Sequence, residues 1–338
     1  MRSVVIQFFS RRLRNVLTAA IVVHVAATAL TPCLWAQQAL TQQAKYKLVL
    51  DRELDTGLAW QRSPVWRNGM LVGILGTDVQ APTIYTIDRD GRREEFLFTL
   101  EEAVRITIAQ VSVSRSGELA AVGFATTNDL RGATFVARIS PDRKSQIVTR
   151  TWPYIPGTVE FASDGTIWTI GHVTNNDRTR DLEFDVLRRF DSTGRLLSTK
   201  TVHLRRRRPG TTSSFFQAVR DRVAWFTLSG EYIEFDLGGA EIYRLDGPPG
   251  TVDQHYEDSF KHVSMAVTEA GNVIVAKGGS ESEPRFYQLD RDSKSWVPLI
   301  GAGQQTGQWP RIFGSDGEVI LVRAALGKIR RFRLVLAQ

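Results

Sequence analysis

The residues that could do chemistry are few and scattered. A strand pattern, set out below, sends two rings of side chains toward a central axis. One ring holds Arg62, Gln110, Thr158, Phe216, Ser264 and Pro310; the other, two residues on, holds Pro64, Ser112, Glu160, Ala218, Ala266 and Ile312. Glu160 is the only acid among them. A calcium site takes about six to eight oxygens, several of them carboxylates, so this inventory argues against one. A lone glutamate in such a place is first an ion-pair partner, and Arg62 and Arg311 are the candidates for it. His262 stands where a strand begins and could face the axis as a ligand or as a hydrogen-bonded structural histidine. His172, His203, His255 and His262 show no metal-ligand spacing, and no G-x-S-x-G elbow, H-E-x-x-H or P-loop occurs. Trp309, with Trp60, Trp66 and Trp152, could offer an aromatic platform to a sugar or simply pack between sheets. Arg205, Arg206, Arg207 and Arg208 form a cationic run that is either an anion-binding patch or a solvated loop. The ligand candidates are thus Arg62, Gln110, Glu160, His262, Trp309 and Arg311, with the four-arginine run as an anion patch. No catalytic residue, metal site or cofactor is expected.

The elements that position these residues repeat. Between Phe161 and Val202, FASDGTIWTIGH is followed, after a polar loop, by VLRRFDSTGRLLSTKTV. Apolar and polar residues alternate into Ser163-Asp164-Gly165, where Asp bonds its own backbone and Gly takes positive φ. The β-branched and aromatic Ile167–Ile170 follows; a second hairpin then turns at Ser192-Thr193-Gly194. Four short antiparallel strands result, a to d. Copies of the a–b turn fall at Asn68-Gly69, Ser116-Gly117, Asp164-Gly165, Asp221-Arg222, Ala270-Gly271 and Asp316-Gly317, with glycine spacings of 48, 48 and finally 46 residues. The c strands end in an apolar residue followed by Asp at Ile87-Asp88, Phe190-Asp191, Phe235-Asp236 and Leu289-Asp290, with Ile139-Ser140 as the variant.

A period near 48 with four strands per unit predicts an all-β chain folded as a six-bladed β-propeller, four antiparallel strands per blade. The last copy lacks a d strand, and an orphan strand from Tyr46 to Asp51 precedes the first. Joining the two completes the sixth blade and closes the ring. The competing arrangement is an open β-sandwich, or two β domains, with chance turn spacing.

F-x-x-D-G-x-I-W-x-x-G over 161–171 and L-R-R-F-D-x-x-G-x-L over 187–196 resemble the TolB-like propeller superfamily and, within it, the NHL-repeat type. The resemblance spans essentially all of 45–338 and implies the fold and a surface for protein or glycan contacts. Some members of that superfamily are lactonases or lyases, but their metal-binding acids and histidines find no counterparts here.

Residues 1–36 differ in kind. Arg2, Arg11, Arg12 and Arg14 precede an uncharged run from Val16 to Leu30, the form of a secretory signal peptide and short for a membrane span of about 20 residues. Cleavage after Ala36 or Ala29 would release the chain to the periplasm or the exterior; without cleavage the segment would anchor it to a membrane. A polar linker, 37–44, leads to the propeller domain, 45–338. The only cysteine, Cys33, lies in the leader, and removing the leader's four arginines takes the formal charge from +7 to +3, which argues against nucleic acid as a partner. The expected function is an exported, non-catalytic propeller binding a protein or glycan on one rim. A hydrolase or lyase with an axial site is the alternative.

Overall fold

The computed structural model describes residues 45–57, 64–76, 79–129, 132–174, 184–204, 215–227, 230–249, 251, 263–278, 285–301, 310–325 and 327–337. Tyr46–Gln338 is one compact unit; Met1–Lys45 is another, of which only Lys45 is described.

The strand β1 (Tyr46–Asp55) comes before any complete hairpin pair. The first blade follows as β2 (Val65–Arg67), β3 (Met70–Leu75), β4 (Thr83–Ile87) and β5 (Arg93–Leu97). The second is β6 (Ala103–Val113), β7 (Leu119–Thr127), β8 (Gly132–Ile139) and β9 (Gln146–Arg150). The third is β10 (Tyr154–Phe161), β11 (Ile167–Val173), β12 (Phe184–Phe190) and β13 (Leu196–His203). The fourth is β14 (Phe215–Val219), β15 (Arg222–Phe226), β16 (Glu231–Asp236) and β17 (Glu241–Asp246). The fifth is β18 (Ser264–Val267), β19 (Val273–Ala276), β20 (Phe286–Asp290) and β21 (Ser295–Pro298). The sixth takes β22 (Ile312–Asp316), β23 (Val319–Ala325) and β24 (Lys328–Leu336), with β1 as its outer strand.

The second to fifth blades are separate four-stranded sheets; the sixth and first share one sheet in the order β1-β24-β23-β22-β2-β3-β4-β5. Within each blade the strands pair antiparallel, while β22 and β2 meet through one parallel bridge, Trp66 opposite Gly314. Closure follows the expected route: Leu48 lies opposite Leu334 and Leu50 opposite Phe332.

The core lies between blades. Val72 and Ile84 pack with Ile106 and Phe135; Val122 with Phe161; Trp168 with Trp225; Phe226 with Met265. Ile274 and Phe286 then meet Ile320, Phe332 and Leu48, and Phe313 and Leu321 meet Trp66 and Tyr85. That last cluster joins the sixth blade to the first. Each sheet thus buries both faces against its neighbours, the solution open to a small sheet that cannot hide both alone. An open sandwich would lack the final interface. The chain is a β-propeller.

The Asp ending each c strand has a local task. Asp88 Oδ1 accepts from the Asp90 and Arg92 amides, Asp191 Oδ1 from those of Thr193 and Arg195, Asp236 Oδ1 from that of Ala240, and Asp290 Oδ1 from that of Asp292. In the second blade Ser140 Oγ replaces the carboxylate and accepts from the Ser145 amide. A side-chain oxygen satisfies amides that the turn withdraws from the ladder.

Candidate functional site: the hub and its funnel

Inner strands of neighbouring blades diverge from the backbone ladder, so side chains link them. Gln110 follows a register shift in β6 and its Oε1 accepts from the Val159 amide of β10, at 3.0 Å. Gln217 of β14 holds Val267 of β18 from both sides, donating to its carbonyl at 2.8 Å and accepting from its amide at 3.0 Å. Ser315 Oγ also donates to the Val267 carbonyl, at 2.6 Å, and Ser264 Oγ accepts from the Ile312 amide, at 2.8 Å. Asn68 donates to the Val113 carbonyl at 2.7 Å.

One residue reaches past its neighbours. Arg67, at the end of β2, donates through Nε to Glu160 Oε1 of β10 at 2.6 Å, with Nη2 2.5 Å from the same oxygen. Its Nη2 also donates to the Phe216 carbonyl at 3.1 Å, and Nη1 to the carbonyls of Trp66 at 2.8 Å and Phe313 at 3.4 Å. The first, third, fourth and sixth blades therefore meet at one guanidinium. Ser112 Oγ completes the carboxylate by donating to Glu160 Oε2 at 2.8 Å. Arg67 is 9% exposed and Glu160 2%, so both charges are withdrawn from water. Burial pushes the Glu160 carboxyl above its usual range, opposed by Arg67 and Ser112.

The expected partner of Glu160 is corrected here. Among the described residues its cation is Arg67, not Arg311. Arg311 lies at the opposite end of the hub, where β22 begins, with its guanidinium carbon 5.9 Å from the Phe215 ring centroid and no hydrogen bond at its buried Nε. Burial and the nearby Arg323 charge lower its pKa. Arg62, His262, Trp309 and the run Arg205–Arg208 lie outside the described residues. Of the sequence candidates, then, the structure brings Gln110 and Glu160 to the hub and places Arg311 elsewhere.

Arg67 and Gln217 escaped sequence reasoning for one reason. Placing the inward ring by counting back from the last apolar residue of each a strand assumes that this residue holds the same position before every turn. The second, third and fifth blades turn through three residues, with Ser114 facing Glu118, Ala162 facing Thr166 and Thr268 facing Asn272. The first blade turns through two, Asn68 at φ 51° and Gly69 at φ 80°, and the fourth through Arg220 and Asp221. Trp66 opposite Leu71 consequently holds the place of Phe161 opposite Ile167, one residue further along than a uniform turn length would put it. The signal that could have exposed the slip is Asn-Gly itself, which marks a two-residue type I′ hairpin.

Above this floor, at the end of the axis where the a–b turns converge, opens a funnel of about 550 Å³. Its acids are mostly engaged. Glu118 is gripped by Arg138 through bonds of 2.9 and 2.8 Å, and Asp316 accepts two bonds from Arg89, one of 3.0 Å. Arg115 and Arg220 are exposed on the second and fourth turns; neither makes an ion pair within 4 Å among the described residues, and the acid beside Arg220, Asp221, is bonded to Arg222 while also feeling the Arg220 charge. The described lining of the funnel includes neither histidine nor cysteine, and no group of three metal-ligating side chains occurs among the described residues.

No protein-family model matches this sequence, and no curated protein matches it. Among solved structures, the chain is similar to the β-propeller domain of Cps50 (Swd1) from Myceliophteria thermophila at 9% identity, over 86% of this chain and 100% of that one, with a TM-score of 0.49. It is also similar to a chain of the mitotic checkpoint complex (11% identity, 87% and 98% coverage, TM-score 0.47) and to BBS1N solved with ARL6DN (13%, 86% and 98%, 0.47). The propeller assignment itself rests on the strand order and on the apolar clusters that join neighbouring blades among the described residues.

Proposed function

We propose that this chain is an exported, non-catalytic propeller of six blades, of the TolB-like and NHL-repeat type, that binds a protein partner at the funnel end of its axis. One observation carries the binding role. Among the described residues the one buried axial acid, Glu160, is occupied by Arg67 and Ser112, whereas two guanidinium groups that make no ion pair among the described residues, Arg115 and Arg220, stand at the mouth. A general base must be available to substrate, and a carboxylate locked between an arginine and a serine is not. Export is supported by the basic start and uncharged run of residues 1–36, and the blade type by the Asp-Gly and apolar-Asp motifs.

The test has two arms. Expressed with its leader in a bacterium, the chain should be recovered outside the cytoplasm with a new N-terminus at Gln37 or Leu30; retention inside, or an intact leader in the membrane fraction, overturns export by cleavage. Purified protein should turn over no lactone or ester; activity that Glu160→Gln abolishes would make the chain an enzyme instead.

A further inference from the structure

The funnel's charges are arranged unevenly, and the unevenness identifies what it holds. On the arc formed by the second to fourth turns, Arg115 and Arg220 flank the third turn. Of the acids on that arc, Glu118 is neutralised by Arg138, and Asp221, beside Arg220, is bonded to Arg222. The third turn adds no free acid: Asp164 is paired with Arg189 at 2.6 Å, and Ser163 donates its hydroxyl to the Arg220 carbonyl. On the opposite arc Arg89 and Asp316 cancel, and Glu269 faces Arg89. The cationic arc therefore lies against the blade that carries Glu160 at its base.

Two partner classes could supply carboxylates, an acidic peptide or an acidic glycan. Sugars dock by stacking on open aromatic faces. Among the described residues the one aromatic ring lining the funnel, Phe161, is 7% exposed and has the Arg138 guanidinium 5.5 Å from its centroid. Among the described lining residues no aromatic platform is open. We infer that the funnel accepts an acidic peptide segment whose carboxylates pair with Arg115 and Arg220. This inference rests on the binding role proposed above. Paired guanidinium groups on separate turns recognise carboxylates spaced along an extended chain, by bidentate, charge-assisted bonds.

The experiment is fluorescence anisotropy on the full chain as exported, with a labelled glutamate decapeptide, a lysine decapeptide and an oligogalacturonate of matched charge. The glutamate peptide should bind, weaken as salt rises, and lose at least tenfold in affinity in the R115E/R220E variant. Both positions are exposed, so folding, checked by the thermal midpoint, should be unchanged. An R205A/R206A/R207A/R208A variant should bind as the parent does. If that variant loses binding while R115E/R220E keeps it, the peptide site is elsewhere and the inference fails, though a binding role stands. Tighter binding of oligogalacturonate, or equal binding of the lysine peptide, overturns the acidic-peptide assignment. No binding of any probe overturns it too, and hydrolysis of a lactone or ester in the separate turnover assay would instead remove the binding role beneath it.

Discussion

Arg67 Nη2 stands 2.5 Å from Glu160 Oε1, joining the first blade to the third without involving the backbone of the second. Contacts between non-adjacent blades are available only at the hub, where the inner strands converge. A buried ion pair is held at the cost of desolvating both groups, so its measured worth depends on what replaces it. Glu160→Leu or Arg67→Leu alone should each lose about 3–5 kcal/mol of stability, because each leaves its partner charged and buried. The double variant should lose clearly less than the sum. A urea-denaturation double-mutant cycle measures this; additive losses would show that the pair is not coupled.

The same carboxyl predicts a slope with pH. Burial raises the folded pKa of Glu160 above its ordinary 4.5 despite Arg67 and Ser112, so the folded chain binds this proton more tightly than the unfolded chain. Its contribution is then fullest below that ordinary value and declines as pH rises toward the folded value. Glu234 runs the other way. Burial pushes it up, but Arg291, Tyr232 and Arg222 outweigh burial and lower it, so its contribution is present above 4.5 and lost as pH falls through the folded pKa. Thermal midpoints across the acid range should show the first slope vanish in Glu160→Gln and the second persist.

Asp191 offers a local check on the repeat. A bond from the Thr193 hydroxyl, with others from the Arg195 and Thr193 amides and the Arg195 guanidinium, holds its carboxyl down at about 2. Carboxyl NMR titration should find that midpoint. Thr193→Val, which removes the largest single cause, should move it toward the ordinary aspartate value of 3.8. An unchanged midpoint would assign the shift to the backbone amides instead.

Gly314 sits where the sixth and first blades touch. At φ 155°, a Cβ there would meet the Trp66 carbonyl oxygen at 2.3 Å and Arg67 Nη1 at 2.7 Å. Gly165, at φ 78°, has nothing within 4 Å of its added Cβ. Gly165→Ala should therefore cost about 1–2 kcal/mol, the conformational penalty alone. Gly314→Ala should cost more, because backbone must move and the Arg67 cluster with it; equal losses in denaturation would refute the close approach.

Ring closure should be read most directly at Phe332, which is fully buried opposite Leu50 and packs with Leu48 and Ile320. Phe332→Ala should lose about 3–5 kcal/mol. Removing 46–55 would expose the edge of β24 and should produce aggregation, visible by light scattering.

The chain's order alone determined the repeat, the Asp-capped turns, the orphan strand and its return to the last blade. These depend on neighbours a few residues apart and on a period that any register preserves. The same period puts Gln110 and the acid Glu160 on the inward-facing side of their strands. The partner of Glu160 was decided only by the tertiary structure, since Arg67 is 93 residues away and its place depends on a turn one residue shorter than those of the second, third and fifth blades. In a strand a one-residue offset exchanges the two faces. Which arginines stay paired and which stand open was settled there too, for charge pairing across the mouth joins turns that adjoin only once the ring has closed.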